Sequence, residues 1–452
     1  MATLPPSLIA SLKEVVAFDA AAFEAVHATP QPATSIRLNP AKPVQALSLL
    51  EQDTQAIPWC SNGRYLSARP SFTMDPLFHA GGYYVQEASS MFLWHLLEQL
   101  IGSNTHLNVL DLCAAPGGKS TLLASYFTKG LLVSNEVIKS RANILEENLV
   151  KWGSENVVIT NNDPAHFKSL SGFFDVVVVD APCSGSGLFR KDPDAIKEWS
   201  LDNVALCAQR QQRILADVLP CLKTGGLLIY ATCSYSTAEN EAICDWLSTQ
   251  QLHSKQVTVP TEWGIVATQS EQFGAYGYRF FPYLTKGEGF FIAAFEKSSH
   301  NEPVRWKEQK IPLANKQEQD AVEQLFSASN QWQLFKQQES IKLFPKAYFT
   351  HLQILAKHLY IKKAGIEIGG IKGKDLIPHH EWAMSTLPKT SFTHVEVDFP
   401  TAIAYLQKKA FTIEAPVGWT LLTYCSLPLG WVKVLPNRIN NYYPNEWRIL
   451  KS

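Results

Sequence analysis

No two of the eight cysteines in this 452-residue chain are spaced as CxxC, and they follow no regular framework. The arrangement excludes a zinc ribbon and a disulfide-stapled small domain, and predicts free thiols in a reducing, cytoplasmic setting with no metal. No uninterrupted apolar run approaches the roughly 20 residues that a membrane span needs. No basic N-terminal region leads into the apolar stretch that marks a signal peptide. Repeats and low-complexity tracts are missing as well. Net charge is almost absent, at −1, but unevenly divided. Residues 1–297 carry 21 Lys and Arg against 28 Asp and Glu, and residues 298–452 carry 19 against 13, a basic surplus of six. Such a surplus is compatible with a solvated face or with a polyanionic partner. What the chain does have is length and 46% hydrophobic residues, enough to fill two or three domain cores.

Residues 1–34 show helix-like apolar spacing at Ser7–Leu12 and Ala20–Val26. A turn-rich, aromatic stretch runs from Ser35 to about Gln86. From Leu107 onward strands alternate with helices. Leu107–Leu112, Leu131–Asn135, Val157–Asn161, Phe174–Asp180 and Leu227–Thr232 read as buried parallel strands, because a sheet covered on both faces needs nearly continuous apolar runs. Lys139–Trp152 and Leu201–Leu219 read as helices between them. Ser236-Thr237-Ala238-Glu239 has the form of a capping box and predicts a helix to about Gln250. Gly277–Phe281 and Gly289–Phe295, on either side of Lys286-Gly287-Glu288, predict an antiparallel hairpin at the sheet edge. The fold class is therefore α/β, a Rossmann-like, doubly wound, mostly parallel sheet. The charged segment Glu296–Leu313, with Pro303 and Pro312, reads as a linker.

Three strand-end loops carry chemistry. Val109-Leu110-Asp111-Leu112-Cys113-Ala114-Ala115-Pro116-Gly117-Gly118-Lys119-Ser120 runs from a strand through small residues into a helix, so that backbone lies against a nucleotide-like cofactor at a helix N-terminus. A G-x-x-x-x-G-K phosphate loop is excluded because Cys113 stands where its first glycine belongs, and the dinucleotide fingerprint because Asp111–Pro116 supplies no G-x-G. Glu136 ends the second strand about 20 residues beyond the loop, the position of a ribose-diol acceptor. Asp163, after the third strand, is a candidate acceptor for an adenine amino group. Asp180-Ala181-Pro182-Cys183-Ser184-Gly185-Ser186-Gly187 and Ala231-Thr232-Cys233-Ser234-Tyr235 follow the fourth and fifth strands. A carboxylate and two thiols thus share the edge where such sheets bind ligands. Cys207, Cys221 and Cys244 have helix-like surroundings and read as small hydrophobes. Two thiols, a carboxylate and a cofactor loop suit methylation of cytosine at carbon 5. That carbon is too weak a nucleophile until a thiolate adds at carbon 6, while a carboxyl at ring N3, from Asp180, stabilises the developing charge. A second thiol then helps to expel the first.

DLCAAPGGKS at 111–120, FDVVVVDAPCSGSG at 174–187, Phe189-Arg190-Lys191-Asp192-Pro193 and Gly225–Tyr235 closely resemble the NSUN/Sun family of RNA 5-methylcytosine methyltransferases. The likeness runs in register from about Arg37 to Phe295, through Ile36–Pro40, Tyr84–Ser90 and Gly287–Phe291. It implies a class I methyltransferase fold with S-adenosyl-L-methionine held by Cys113, Ala114, Ala115, Pro116, Gly117, Gly118, Lys119, Glu136, Asp163 and Asp180. It also implies Cys233 as the nucleophile and Cys183 as the group assisting product release. Within the family the chain is most similar to the bacterial RsmF-type enzymes of small-subunit (16S) ribosomal RNA. There is no room for a long N-terminal NusB-like domain, and a C-terminal extension ends in Pro428–Lys433 and Asn441–Arg448. RNA, as small-subunit ribosomal RNA or the small ribosomal subunit, is then the implied partner, with the protein a monomer and its C-terminal domain β-rich and PUA-like. Two positions depart from the family pattern: Tyr283, where histidine often follows proline, and Thr237, where proline is frequent.

Lys362, Lys363, Lys372, Lys374, Lys408, Lys409, Lys433 and Arg438 are interleaved with Trp382, Trp431, Tyr442, Tyr443 and Trp447, a mixture suited to phosphate contact and base stacking, with core packing the other reading for the tryptophans. The expected organisation is an N-terminal α+β, RNA-binding region over 1–90, a methyltransferase domain over 91–297, a linker over 298–313 and an RNA-binding, PUA-like domain over 314–452. Two rival readings stand beside this one. The same chemistry on tRNA or DNA is the first, and in a DNA enzyme the nucleophile would be Cys183. The Thr232-Cys233-Ser234 motif argues against it. A non-catalytic, RNA-binding assembly factor is the second, and the intact thiol pair argues against that.

Overall fold

The computed structural model describes residues 4–28, 31–44, 54–300, 302, 304–326, 331–373 and 375–450. Pro303 and Lys374 lie outside them. A ten-stranded sheet forms the centre. Its parallel strands are Asn108–Asp111, Leu131–Asn135, Val157–Thr160, Phe174–Asp180 and Leu222–Thr232. Successive valines of Phe174–Asp180 enter opposite cores: Val176 and Val178 join one apolar cluster, Val177 and Val179 another. This is why the run is apolar without alternation, each buried valine contributing roughly 1.5–3 kcal/mol. Asn108–Asp111 lies between Phe174–Asp180 and Leu131–Asn135. Chain order therefore reverses at Asn108–Asp111, and the loops leaving it and Phe174–Asp180 diverge into a crevice.

Phe290–Lys297 adds antiparallel to Leu222–Thr232, followed outward by Tyr276–Phe280 and Val266–Gln269. The expected hairpin pairing is present, but its connection is the loop 281–289 rather than a tight turn. The expected capping box is not. Ser236 makes no side-chain cap, Thr237–Glu239 forms a single 3-10 turn, the helix starts at Glu241, and the Glu239 carboxylate turns inward.

Thr54–Ile57, Cys60–Leu66, Thr34–Leu38 and Tyr83–Val85, in that order, form a four-stranded sheet, the β part of the N-terminal α+β region, in a stretch whose turn-rich sequence placed no single strand. Its strands are short and half polar, so their period is weak. The N-terminal helices Pro6–Leu12 and Ala20–Ala28 bury Leu8, Leu12 and Phe23 against Phe189, Tyr235 and Phe281, beside the second thiol turn.

Beyond Lys297 most of the described strands fall into two further four-stranded sheets. Trp332–Gln337, Ser340–Pro345, Ile366–Lys372 and Asp375–Pro378 form one sheet, and Thr393–Glu396, Gly418–Tyr424, Leu427–Leu435 and Arg438–Asn441 another. Between the strands of the first, Ile361–Ala364 leaves to pair antiparallel with Val157–Thr160 at the edge of the central sheet. Phe344, Leu352 and Leu355 share a core with that sheet, and Leu406 and Val432 share one with Ile36 and Tyr83. Trp382, Trp431 and Tyr443 are core residues rather than a stacking surface. Lys363 is buried on Glu381 at 3.0 Å, Lys362 pairs with Glu146 at 2.9 Å, and Lys408 donates to the Tyr443 carbonyl at 2.7 Å. Tyr442, Lys372, Lys409 and Arg438 remain exposed. Among the described residues no helix is long and apolar enough to cross a membrane.

Candidate active site

The cofactor loop is built on a left-handed glycine. Gly117, at φ +118°, turns the chain into helix Gly118–Tyr126, a conformation that disfavours any Cβ. Gly118 rests on the N-terminal sheet, where a Cβ would come to 3.4 Å from Tyr84 Cε1. Arg37 locks that contact, donating Nε to Gln86 Oε1 at 2.8 Å and Nη2 to Thr121 Oγ1 at 2.5 Å. Asp111, fully buried below the loop, accepts from Ser120 Oγ at 2.6 Å through one oxygen, and the other has no partner among the described residues. Burial raises its carboxyl to about 7, against the Ser120 bond.

A cleft of about 390 Å³ opens over the loop, a size usual for small-molecule sites. Cys113, Ala114, Ala115, Pro116, Gly118, Lys119, Asp180 and Cys233 line it, with Tyr84, Glu87, Arg141, Leu188 and Glu288 among the others. Larger hollows, of about 510 and 790 Å³, carry no thiol.

The two thiol turns meet at the floor of this cleft. Cys183 Sγ lies 3.1 Å from Cys233 Sγ. Backbone stitches the turns together: Ala181 N donates to Ala231 O at 2.8 Å, Gly187 N to Cys233 O at 2.8 Å, and Tyr235 N to Ser186 Oγ at 2.9 Å. Gly187 allows this approach, since a Cβ there would meet Gly289 O at 2.3 Å. The Cys183 thiol is pushed up by its hydrogen bond to Cys233, then by burial, with the Glu239 charge adding to both. Burial works against the charge of Lys119, yet its ammonium is held above the ordinary lysine range by Asp180, 2.8 Å away, with Cys233 among the further negative groups.

The other expected ligands are less central. Gly117 shapes the loop without lining the cleft, and Cys183 stands behind Cys233. Glu136 is buried, one oxygen accepting from Ile138 N at 3.0 Å and the other 3.8 Å from Arg141 Nη1, off the cleft wall. Asp163 is exposed and caps Ala165 N at 2.9 Å. Two acids escaped the sequence reading as site residues. Glu239 joins the thiol turns and was legible only as a helix cap. Glu288 lines the cleft, neither of its carboxyl oxygens has a hydrogen-bond partner among the described residues, and Arg190 Nη1 is 3.5 Å away. Burial lifts Glu288 to about 7, partly offset by Arg190.

Glu367, His379 and Glu381 also gather within 4.8 Å, but lysines already hold this group. Lys363 is 3.0 Å from Glu381 and Lys342 is 3.6 Å from Glu367. Burial opposes the charge on Glu381, yet Lys363 and its neighbours hold it at about 2.

The cleft fits S-adenosylmethionine in size: Glu87 and Asp180 balance Lys119 and Arg141 on its wall, and the small side chains of Ala114–Gly118 leave backbone free to lie against a nucleoside.

Known proteins resemble the chain along most of its length. The family model described as 16S rRNA methyltransferase RsmB/F matches residues 99–296, that of the RsmF N-terminal domain residues 4–88, and that of the methyltransferase RsmF PUA domain residues 392–449. A ribosomal RNA small subunit methyltransferase F from Vibrio cholerae is 30% identical, over 98% of this chain and 97% of its own. Its namesake from Aeromonas salmonicida is 31% identical, over 91% and 90%. A solved methyltransferase homolog protein from Pyrococcus horikoshii is 28% identical, covering 65% of this chain and 100% of its own, with a TM-score of 0.51.

Proposed function

The chain belongs to the 16S rRNA methyltransferase RsmB/F family, and from that premise we propose that it methylates carbon 5 of a cytosine in small-subunit ribosomal RNA. The observation that carries the reading is the thiol pair: two sulfurs 3.1 Å apart, on turns that leave neighbouring parallel strands, with Cys233 and Asp180 on the wall of a cofactor-sized cleft.

S-adenosylmethionine, bound along Cys113–Lys119 with Glu136, Asp163 and Asp180 as polar partners, supplies an electrophilic methyl group. The chain makes the ring able to take it. Cys233, as thiolate, adds to carbon 6, forming an S–C6 bond and moving the C5=C6 pair to carbon 5. A proton shared between Asp180 and ring N3 holds the ring there and neutralises the negative charge that arises, returning to the carboxylate when C5=C6 re-forms. After methyl transfer the carbon 5 proton leaves to water, its bonding pair re-forms C5=C6, and the S–C6 bond breaks to return a thiolate to Cys233. Cys183 donates its S–H to that departing sulfur. The local charges support this division, since the Cys183 thiol is pushed up, first by its hydrogen bond to Cys233 and by burial and then by the Glu239 charge, which keeps its S–H, while Cys233 is among the groups whose field reaches Lys119.

Methyl-tritiated S-adenosylmethionine, offered with small-subunit ribosomal RNA, tRNA or DNA, tests the reading. Label is expected in 5-methylcytidine from the ribosomal RNA alone. Label in another nucleoside would refute the chemistry, and label only in tRNA or DNA would refute the substrate.

A further inference from the structure

Glu239 is fully buried between the two thiol turns. Its Oε1 accepts from Ser184 N at 2.7 Å and Gln211 Nε2 at 3.3 Å, and its Oε2 from Ser184 Oγ at 2.6 Å and Ser234 Oγ at 2.5 Å. Its carbonyl accepts from Tyr230 OH at 2.6 Å. Ser184 follows Cys183 and Ser234 follows Cys233, so one carboxylate grips the residue next to each sulfur. Both oxygens are satisfied, as a buried carboxylate requires. Asn240 offers a contrast. It accepts from Thr232 Oγ1 at 2.6 Å and donates to Ser234 O at 2.8 Å, so it touches the Cys233 turn alone.

We propose that Glu239 is a positioning residue that holds Cys183 in register with Cys233, so that product release depends on it while the first attack does not. The inference rests on the roles given to the thiols above. Without the shared carboxylate, the Ser184 and Ser234 turns lose their common anchor, and the sulfurs drift apart. Cys183 then no longer reaches the departing thiolate. The charge of Glu239 works in the same direction, opposing ionisation of Cys183 and so keeping the S–H that release uses.

The test compares full-length Glu239→Gln, Asn240→Ala and Cys183→Ala. Sulfur proximity is read first, without RNA or cofactor, by the rate at which diamide closes the Cys183–Cys233 disulfide. The two thiols lose two electrons and two protons, and diamide takes them up as a hydrazine. In Glu239→Gln this rate should fall roughly tenfold, the scale set by a small misplacement of reacting groups, and it should fall likewise in Ser184→Ala, which loosens the grip while leaving the Glu239 charge in place. Asn240→Ala should stay within about twofold of the parent, and S-adenosylmethionine affinity by calorimetry should hold within about twofold in both. With RNA and cofactor, Glu239→Gln should accumulate the gel-stable RNA adduct that Cys183→Ala accumulates. A parental disulfide rate, or no adduct where Cys183→Ala gives one, overturns the proposal. If Glu239→Gln loses cofactor affinity, Ser184→Ala takes its place, with the same disulfide rate and the same adduct deciding for or against. If Cys183→Ala itself gives no adduct while Glu239→Gln slows the disulfide, the thiol roles fail and the positioning stands.

Discussion

Cys183 and Cys233 nearly touch, yet they face different company. Cys233 lines the cleft together with Lys119, whereas Cys183 stands one layer back, and the buried carboxylate of Glu239 grips the turns of both through Ser184 and Ser234. An ammonium nearby favours a thiolate and a carboxylate opposes one. On the roles proposed above, two cysteines on one sheet edge differ in their work through their neighbours, and neither role resides in the cysteine alone.

Breaking the pair at the front thiol should have the largest effect. Cys233→Ala is expected to lower methyl transfer on the order of a thousandfold or more, measured as tritium passed from cofactor to RNA. Turnover above about a tenth of the parent would move the nucleophile elsewhere. Cys183→Ala should permit attack and transfer but trap protein on RNA, with turnover down roughly a hundredfold. A gel-stable adduct with Cys233→Ala instead would reverse the two roles. Lys119→Met probes the electrostatic half of the contrast. Iodoacetamide should modify Cys233 several-fold more slowly at neutral pH, on the order of threefold to tenfold, with little change at Cys183. Peptide mapping showing equal slowing at both sulfurs would remove Lys119 as the discriminating charge.

The gentlest probe compares two acids, Glu239 with four hydrogen-bond contacts to its carboxylate and Glu288 with none among the described residues. Burial lifts Glu288 from 4.5 to about 7. Because the folded value lies above the unfolded one, its contribution to stability is fully present below about pH 4.5 and is lost as pH rises through about 7. The Tm of the parent minus that of Glu288→Gln should therefore fall between about pH 5 and 8, by a few degrees. A difference that is flat across that range would show Glu288 ionised throughout.

The motifs were legible because each is local. An apolar run ending in Asp180-Ala181-Pro182-Cys183 can only be a buried strand followed by a turn, and the parallel order of such strands brings their C-terminal ends to one edge. The same logic found Cys113–Lys119 and Cys233. It could not find the job of Glu239, whose hydrogen bonds to Ser184 span 55 residues and whose own neighbours spell a helix cap. The C-terminal region shows the converse. Lysines and aromatic residues in mixture look like an RNA surface, but residue type does not say which face a side chain takes, and Trp382 and Trp431 went to the core. Nor does the sequence announce that Ile361–Ala364 pairs with Val157–Thr160, since a four-residue edge strand has too short a period to name its partner.

By itself the sequence determined the doubly wound sheet, the order of its loops and the identity of the two thiols, because strand periodicity and turn chemistry act between residues close along the chain. Only the tertiary structure decided which charge stands beside each sulfur, how Glu239 joins their turns, and where the C-terminal strands dock. Those are contacts between residues far apart in sequence, made only once burial has brought polar groups together that must then satisfy one another.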